Sequence, residues 1–337
     1  MLQQPYSPNE PQQDPAQALD SGYVVGADIG GTNLRLALAD RQGAIIAKWS
    51  TLTVDIRNPA VVVALVSEGI EAMLQQTSVP RSSLRAIAAG APGVTNVDQG
   101  IVIATSYLMG WRDVPLRAFL EAALGIPASI DNDVNMAAIG ESWAGAAQGI
   151  RDFVFLAIGT GIGAGIILNG SIFRGHGWTA GEIGYLLVPG TTEEPVERGK
   201  PGALEAIVGG EGIKAQWQSQ WSEAATPLPK SATATQIFDH ALEHNPLAQQ
   251  VLETASRTLA YAIYNISLIL NCPLFVLGGG VGMHPALCSA TKNVLAQRSA
   301  RVQPQLVPSA LGADAQLTGA IRVALDTADS RLTTSKT

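Results

Sequence analysis

Cysteine is almost missing from this chain, whose 337 residues hold only Cys272 and Cys288. One thiol sits at an apolar helix end and the other in an amphipathic stretch. They build neither a disulfide framework nor a cysteine zinc site, and read as packing residues in a reducing, cytoplasmic setting. A basic excess is missing too: Lys plus Arg number 21 against 28 Asp plus Glu, a net charge of −7 with no basic cluster. Nucleic acid and anionic membrane surfaces are thereby excluded as expected partners. No apolar run approaches the roughly 20 residues that a membrane helix needs. Residues 1–20 are Gln- and Pro-rich and lack the basic start and apolar middle of a signal peptide, so they are expected to form a disordered tail, as are the last few residues, RLTTSKT.

Several nucleotide and metal motifs are also absent. G-x-x-x-x-G-K-[ST] does not occur, and no glycine run satisfies G-x-G-x-x-G: the sixth position is Ala164 counted from Gly159 and Met283 counted from Gly278. H-E-x-x-H is missing and the four histidines do not cluster, which leaves His176 in RGHG as a loop residue.

Glycine, by contrast, is abundant at 35 residues, in a chain that is 47% hydrophobic and only 5% aromatic. That balance favours an α/β protein rich in tight turns, and the length favours two domains. Two turns of like construction stand out: Asp28, Gly30, Gly31, Thr32 and Asn33 in VVGADIGGTNLRLALAD, and Gly159, Thr160, Gly161 and Gly163 in FLAIGTGIGAGIILNG. Each reads as strand, turn, strand. Turns without side-chain bulk present backbone N–H groups to an anion, and two facing turns could grip a polyphosphate.

Strand patterns at 23–28, 34–39 and 44–49 predict an antiparallel meander, followed by a helix at 60–75, a buried strand at 84–90, a loop at 91–93, a helix at 116–123 and a strand at 128–130. A helix starts at Asp131-Asn132-Asp133, where Asp or Asn caps well. The pattern then repeats: strands at 153–158, 163–168 and 172–173, a loop-rich segment at 175–210, helices at 234–243 and 248–270, a strand at 274–277 running into Gly278-Gly279-Gly280, and helices at 285–297 and 313–326. A meander plus alternating helix and strand, twice over, fits a duplicated α/β domain with a cleft between the copies.

Candidate chemistry follows from these positions. Asp28 ends a buried strand beside the first turn, where it could hold Mg²⁺ directly or through water, or merely cap the turn. In Asp131-Asn132-Asp133 one carboxylate could accept the proton of an attacking hydroxyl, although the run could equally be an N-cap cluster. Glu182 in GEIGY and Glu205 in GALE suit bidentate hydrogen bonding to vicinal sugar hydroxyls, or are solvated surface acids. Gly278 to Gly280, read as opening a helix, would let a flat ring or a phosphate approach the backbone.

DIGGTNLRLAL, the Ala-Pro-Gly of residues 91–93, DNDVNMAAIGESWAGAA, LAIGTGIGAGIILNG, AGEIGY, KPGALEAIVGG and FVLGGGV together resemble, in order and spacing, the ROK family of sugar kinases and repressors in the actin-like ATPase superfamily. The resemblance runs from about Tyr23 to Ala324 and is strongest to the bacterial glucokinases of that family. It implies two actin-like (ribonuclease-H-like) domains with ATP and Mg²⁺ in the cleft, and γ-phosphoryl transfer to a hexose. Asp133 aligns with the family's catalytic base, and Asn132, Glu182 and Glu205 with its sugar ligands; Gly93 and Tyr185 join that substrate set. Gly30, Gly31, Thr32 and Asn33 with Thr160 and Gly161 become phosphate loops, and Gly278, Gly279 and Gly280 the adenosine loop.

One departure stands out. Many members carry His after G-E-I-G and then a cysteine-rich segment that binds structural zinc. Here the His position is Tyr185 and residues 197–205 contain no cysteine, so zinc is not expected. The expected division is a tail at 1–20, a first domain at 21–132 onto which a helix at 313–330 could pack back, and a second at 133–312. A homodimer phosphorylating D-glucose is the leading expectation, with N-acetylglucosamine, N-acetylmannosamine and fructose as alternative acceptors. A sugar-sensing regulator is the weaker rival.

Overall fold

The computed structural model describes residues 22–54, 56–105, 108, 110–191, 200–224, 226–298 and 303–334. The N-terminal tail expected at 1–20 lies outside them. The chain opens with the expected meander of β1 (Tyr23–Ile29), β2 (Asn33–Asp40) and β3 (Ile45–Leu52), then α1 (Pro59–Thr77) and β4 (Leu84–Ala91). Next comes a small antiparallel sheet not expected from the sequence: β5 (Val94–Asn96), β6 (Ile101–Ala104) and β7 (Arg112–Val114). Its strands are too short for a period of two to register. After α2 (Leu116–Leu124), β8 (Ala128–Asn132) leads straight into α3 (Asp133–Ala144).

The second half repeats the plan with β9 (Phe153–Ile158), β10 (Ile162–Leu168) and β11 (Ser171–Ile172). Helices α4 (Glu205–Val208), α5 (Gly210–Gln220), α6 (Ala234–Leu242) and α7 (Pro246–Leu270) follow, then β12 (Leu274–Gly278), α8 (Pro285–Ala296), β13 (Gln305–Pro308) and α9 (Ala315–Thr334). Three corrections concern this half. The loop-rich segment already contains α4 and runs into α5, a helix the sequence reading lacks, whose Ile213 and Trp217 are fully buried on a four-residue spacing. The glycines at 278–280 do not open a helix: α8 starts at Pro285, capped by His284. The C-terminal helix runs to Thr334, into the stretch expected to be a disordered end.

The two main sheets have the same strand order, β3-β2-β1-β4-β8 and β11-β10-β9-β12-β13, with the first three strands of each antiparallel and the rest parallel. This is the mixed α/β, actin-like architecture expected from the motifs. The faces of the first sheet differ in bulk. Val25, Ile29, Leu34, Leu36 and Leu38 pack with the apolar side of α1. The opposite face presents Val24, Ala37, Ala39, Ala86 and Ala88, and this low relief admits α9 through Leu317, Ile321 and Ala324 together with Met136 of α3.

Helices α3 and α9 cross with almost nothing between them. A Cβ on Gly319 would lie 1.7 Å from the carbonyl oxygen of Met136, and one on Gly140 would lie 2.3 Å from that of Ala315. Neither position has room for a methyl group. Next to the crossing, the fully buried carboxylate of Glu141 accepts from Ser309 Oγ, from Leu311 N (3.1 Å) and from Ala146 N (2.6 Å). It ties α3 to the segment between β13 and α9.

Overpacking in such a contact costs about 1–3 kcal/mol or more. Gly319→Ala is therefore expected to lower the thermal midpoint clearly, whereas Lys292→Ala on the exposed side of α8 should leave it within measurement scatter. Differential scanning calorimetry of the two variants checks this.

Candidate active site

The site is built on a row of residues in register across three parallel strands. Asp28 of β1 pairs with Gly90 of β4, and Gly90 pairs with Asp131 of β8. In-register residues share a face, so two carboxylates flank a position with no side chain. Into that gap comes the start of α3: a Cβ on Gly90 would meet Asp133 Cα at 3.3 Å and Met136 Cγ at 3.2 Å. Three acids thus gather at the carboxyl ends of the strands, where open α/β sheets bind their ligands.

The three are not equivalent. Asp131 is 2% exposed, and its Oδ2 accepts from Arg174 Nε (3.0 Å) and Nη2 (2.6 Å). Its Oδ1 accepts from Asn132 N (2.7 Å) and Asn135 Nδ2 (2.9 Å), so its acceptor capacity is spent on the fold. Asp28 is also buried; Arg35 Nε donates to its Oδ2 at 2.8 Å, with Nη2 on the same oxygen, while Oδ1 accepts no hydrogen bond among the described residues. Burial pushes the Asp28 carboxyl upward, against the pull of the Arg35 guanidinium. Arg35 continues to Ala313 O (2.6 Å) and Gln316 Oε1 (3.0 Å), fastening the first turn to the start of α9.

Asp133 has no cation among its hydrogen bonds within the described residues; its Oδ1 accepts from Val134 N at 2.9 Å. Burial, and then the charge of Asp28, push its carboxyl up to about 7; the Val134 and Asp133 backbone N–H groups act against that rise, and Glu182 adds to it. Asn132 is the N-cap of α3, its Oδ1 accepting from Val134 N (2.8 Å) and Asn135 N (3.2 Å). Its Nδ2 donates to Gly93 O at 2.9 Å and has one further proton to offer a ligand.

The two glycine turns are held differently. In the first, Gly30 N donates to Asn33 O, while Thr53 bonds Gly30 O through its hydroxyl (2.7 Å) and Thr32 O through its N–H (2.9 Å). In the second, Gly210 N reaches Gly159 O (2.8 Å) and Glu211 N reaches Thr160 O (3.1 Å), so the junction of α4 and α5 buttresses it. Glu205, the first residue of α4, accepts from Ile162 N at 3.1 Å. Glu182 precedes a 3-10 turn, and burial followed by the charge of Glu205 raises its carboxyl above the usual range.

A cleft of about 460 Å³ joins these parts, within the size of ordinary small-molecule sites. Gly30, Gly31, Thr32, Gly93, Asn132, Asp133, Thr160, Gly161, Glu182, Glu205, Gly279 and Gly280 line it. Four of the expected site residues do not. Asp28 lies behind the turn on Arg35, and Asn33 is the first residue of β2. Gly278 is packed against the ring of Phe155, where a Cβ would stand 2.2 Å from Cζ. Tyr185 is 52% exposed beyond the wall, with its hydroxyl pKa raised by burial and by Glu182 and Glu205.

Pro92, Phe155, Ala157, Met283, Gly312, Ala313, Ala315 and Gln316 also line the cleft, and sequence reasoning misses them. Their signal is weak, since apolar and small residues at strand ends look like core. Arg35 and Arg174 escape it as well, and only their partners at 28 and 131 could point to them. Residues 197–199, part of the segment for which zinc is not expected, lie outside the described residues.

A sequence profile of the ROK family matches residues 24–327. The chain is 33% identical over 266 residues to a glucokinase of Halalkalibacterium halodurans, covering 77% of this chain and 80% of that one. It is 29% identical over 303 residues to an N-acetylmannosamine kinase of Escherichia coli, covering 90% and 98%. A ROK family glucokinase of Streptomyces griseus, solved with glucose and AMPPNP, shares the fold at a TM-score of 0.76 and 24% identity, covering 90% and 100%.

Asp133 supplies a pH test in the absence of nucleotide. Its carboxyl holds a proton more tightly folded (about 7) than at its ordinary value of 3.8, so its contribution to stability is full at low pH and is lost as pH rises toward and through 7. The amide introduced by Asp133→Asn remains neutral throughout. The thermal midpoint of Asp133→Asn minus that of the parent is expected to increase from pH 4 to 7 and then level off, as followed by circular dichroism melts; a flat difference would contradict the raised value.

Proposed function

The chain belongs to the ROK family and is an ATP-dependent sugar kinase; from that premise we propose that its acceptor is D-glucose, phosphorylated at the primary hydroxyl, with Asp133 as the base. The observation that carries the reading is the setting of Asp133, a carboxyl poised near 7 in one cleft with both glycine turns, Asn132, Glu182 and Glu205. A base works best when its pKa lies near the operating pH.

In this reading the glucose hydroxyl oxygen attacks the γ-phosphorus, its proton passes to Asp133, and the bond to the β-phosphate oxygen breaks to release ADP. The N–H groups of the two turns face the phosphates from opposite walls, and Gly279 and Gly280 with Met283 border the nucleotide end. Glu182, Glu205 and the remaining Asn132 proton orient the sugar hydroxyls, which converts an encounter into an aligned attack. Asp28 lies behind the first turn and does not line the cleft, so it would hold a Mg²⁺ that arrives with the nucleotide through the ion's water shell, by the Oδ1 that accepts no hydrogen bond among the described residues. Bound there, the ion would offset phosphate charge.

A second acceptor is favoured by two observations, the long match to an N-acetylmannosamine kinase and the exposed Tyr185 beside Glu182 and Glu205. A 2-acetamido sugar adds a planar amide with a methyl group, a shape that a phenol ring at the rim can pack against.

A coupled assay with ATP, Mg²⁺ and a panel of glucose, N-acetylmannosamine, N-acetylglucosamine and fructose tests both. Glucose is expected to give the highest kcat/KM, and turnover on none of the four would remove the reading. Asp133→Ala and Asp133→Asn should lower kcat by about 10²- to 10⁴-fold, the range for loss of a general base, with the hexose KM little changed.

A further inference from the structure

We propose that Arg174 is a positioning residue for phosphoryl transfer, joining the strand end that carries Asp133 to the loop that carries Glu182. The inference rests on the kinase reading above. Arg174 follows β11 of the second sheet, whereas Asp131 belongs to β8 of the first, so their fork is a bridge between the two halves, next in sequence to the cleft-lining Asn132 and Asp133. On the Asp131 side, the other carboxylate oxygen holds Asn132 N and Asn135 Nδ2. Those contacts fix the backbone immediately before Asp133 and the first turn of α3.

On the Arg174 side, the chain closes into a compact loop. Ala180 N donates to Arg174 O (3.2 Å), Glu182 N to Thr179 O (3.2 Å), and Ala164 N to Gly181 O (2.9 Å). Glu182 is therefore connected to Arg174 by backbone hydrogen bonds within the loop as well as by sequence. Within that loop Trp178 is held at φ 58°, in the left-handed region that bulky residues rarely adopt and that recurs at ligand clamps. A base and a sugar ligand from opposite halves thus share one anchor, a half-buried guanidinium on a buried carboxylate, and the separation between them is set by that fork rather than by either loop alone.

The pair could instead serve only to hold the fold, and the two roles give different kinetics. Arg174→Ala, Arg174→Lys and Asp131→Asn are compared with the parent chain for kcat, for KM of glucose and of ATP, for the ratio of ADP to sugar phosphate formed, and for glucose binding without nucleotide by calorimetry. If Arg174 positions the two ligands, Arg174→Ala lowers kcat and weakens glucose binding, each about 10- to 100-fold, the scale of an ångström-size misplacement. The ATP KM stays within about twofold of the parent, and ADP is released in excess of sugar phosphate, because water competes when the hydroxyl is misaligned. Lysine keeps the charge without the fork, and its loss should be intermediate.

A lower thermal midpoint with parental kcat, KM values and ADP ratio would overturn the proposal. Should Arg174→Ala fail to fold, the same comparison is made on Arg174→Lys and Asp131→Asn, where parental kinetics would be equally fatal. A parent chain that phosphorylates no hexose would strike the kinase reading itself, an outcome distinct from an active parent with unsplit kinetics in the variants.

Discussion

Everything at the cleft depends on one contact, the crossing of α3 and α9 where the backbone of each helix touches the other at Gly140 and Gly319. Each helix carries part of the cleft at its N-terminal end. Asn132 and Asp133 open α3, and the segment from Gly312 to Gln316 leads into α9. Because the buried Glu141 on α3 binds the backbone that leads into α9, the place of the candidate base relative to the lining segment from Gly312 to Gln316 is decided a turn or two away from both. A larger residue at the crossing would separate the lining groups without touching the ligand they hold.

Charge is distributed with the same economy. Two of the three acids at the strand ends are paired with arginines, Asp28 with Arg35 of the adjacent strand and Asp131 with Arg174 from the second half. The third, Asp133, keeps backbone donors, and burial acts on it with the charge of Asp28. A carboxylate withdrawn from water and without a cation takes up protons more readily, so the raised pKa of Asp133 follows from what its neighbours have and it lacks.

Much of this was legible in the sequence, for identifiable reasons. Strands buried on both faces, such as β1 and β9, read as apolar runs punctuated by glycine, and the turns between them fell where the glycines stood. Asp133, Asn132, Glu182 and Glu205 emerged from short polar interruptions in apolar context. Other features needed three dimensions. β13 is a four-residue strand with a mixed burial pattern, and α5 begins with three polar or small residues that hide its period. The role of Asp131 could not be separated from that of Asp133 by residue type alone, because the difference lies in Arg174, which is 43 positions away.

The matched strand order of the two sheets allows one row to be laid over the other. In the first half the row runs Arg35, Asp28, Gly90 and Asp131; in the second, the same registers run Gly163, Ala157 and Gly278, and the neighbouring strand continues past Pro308 toward Ser309. One copy of a repeated frame keeps the ions, and the other has been stripped to hydrogen and methyl groups. The second half brings its acids to the cleft from outside that row, Glu182 and Glu205 coming from the segment after its meander, so the two halves carry charge at different places in the same frame.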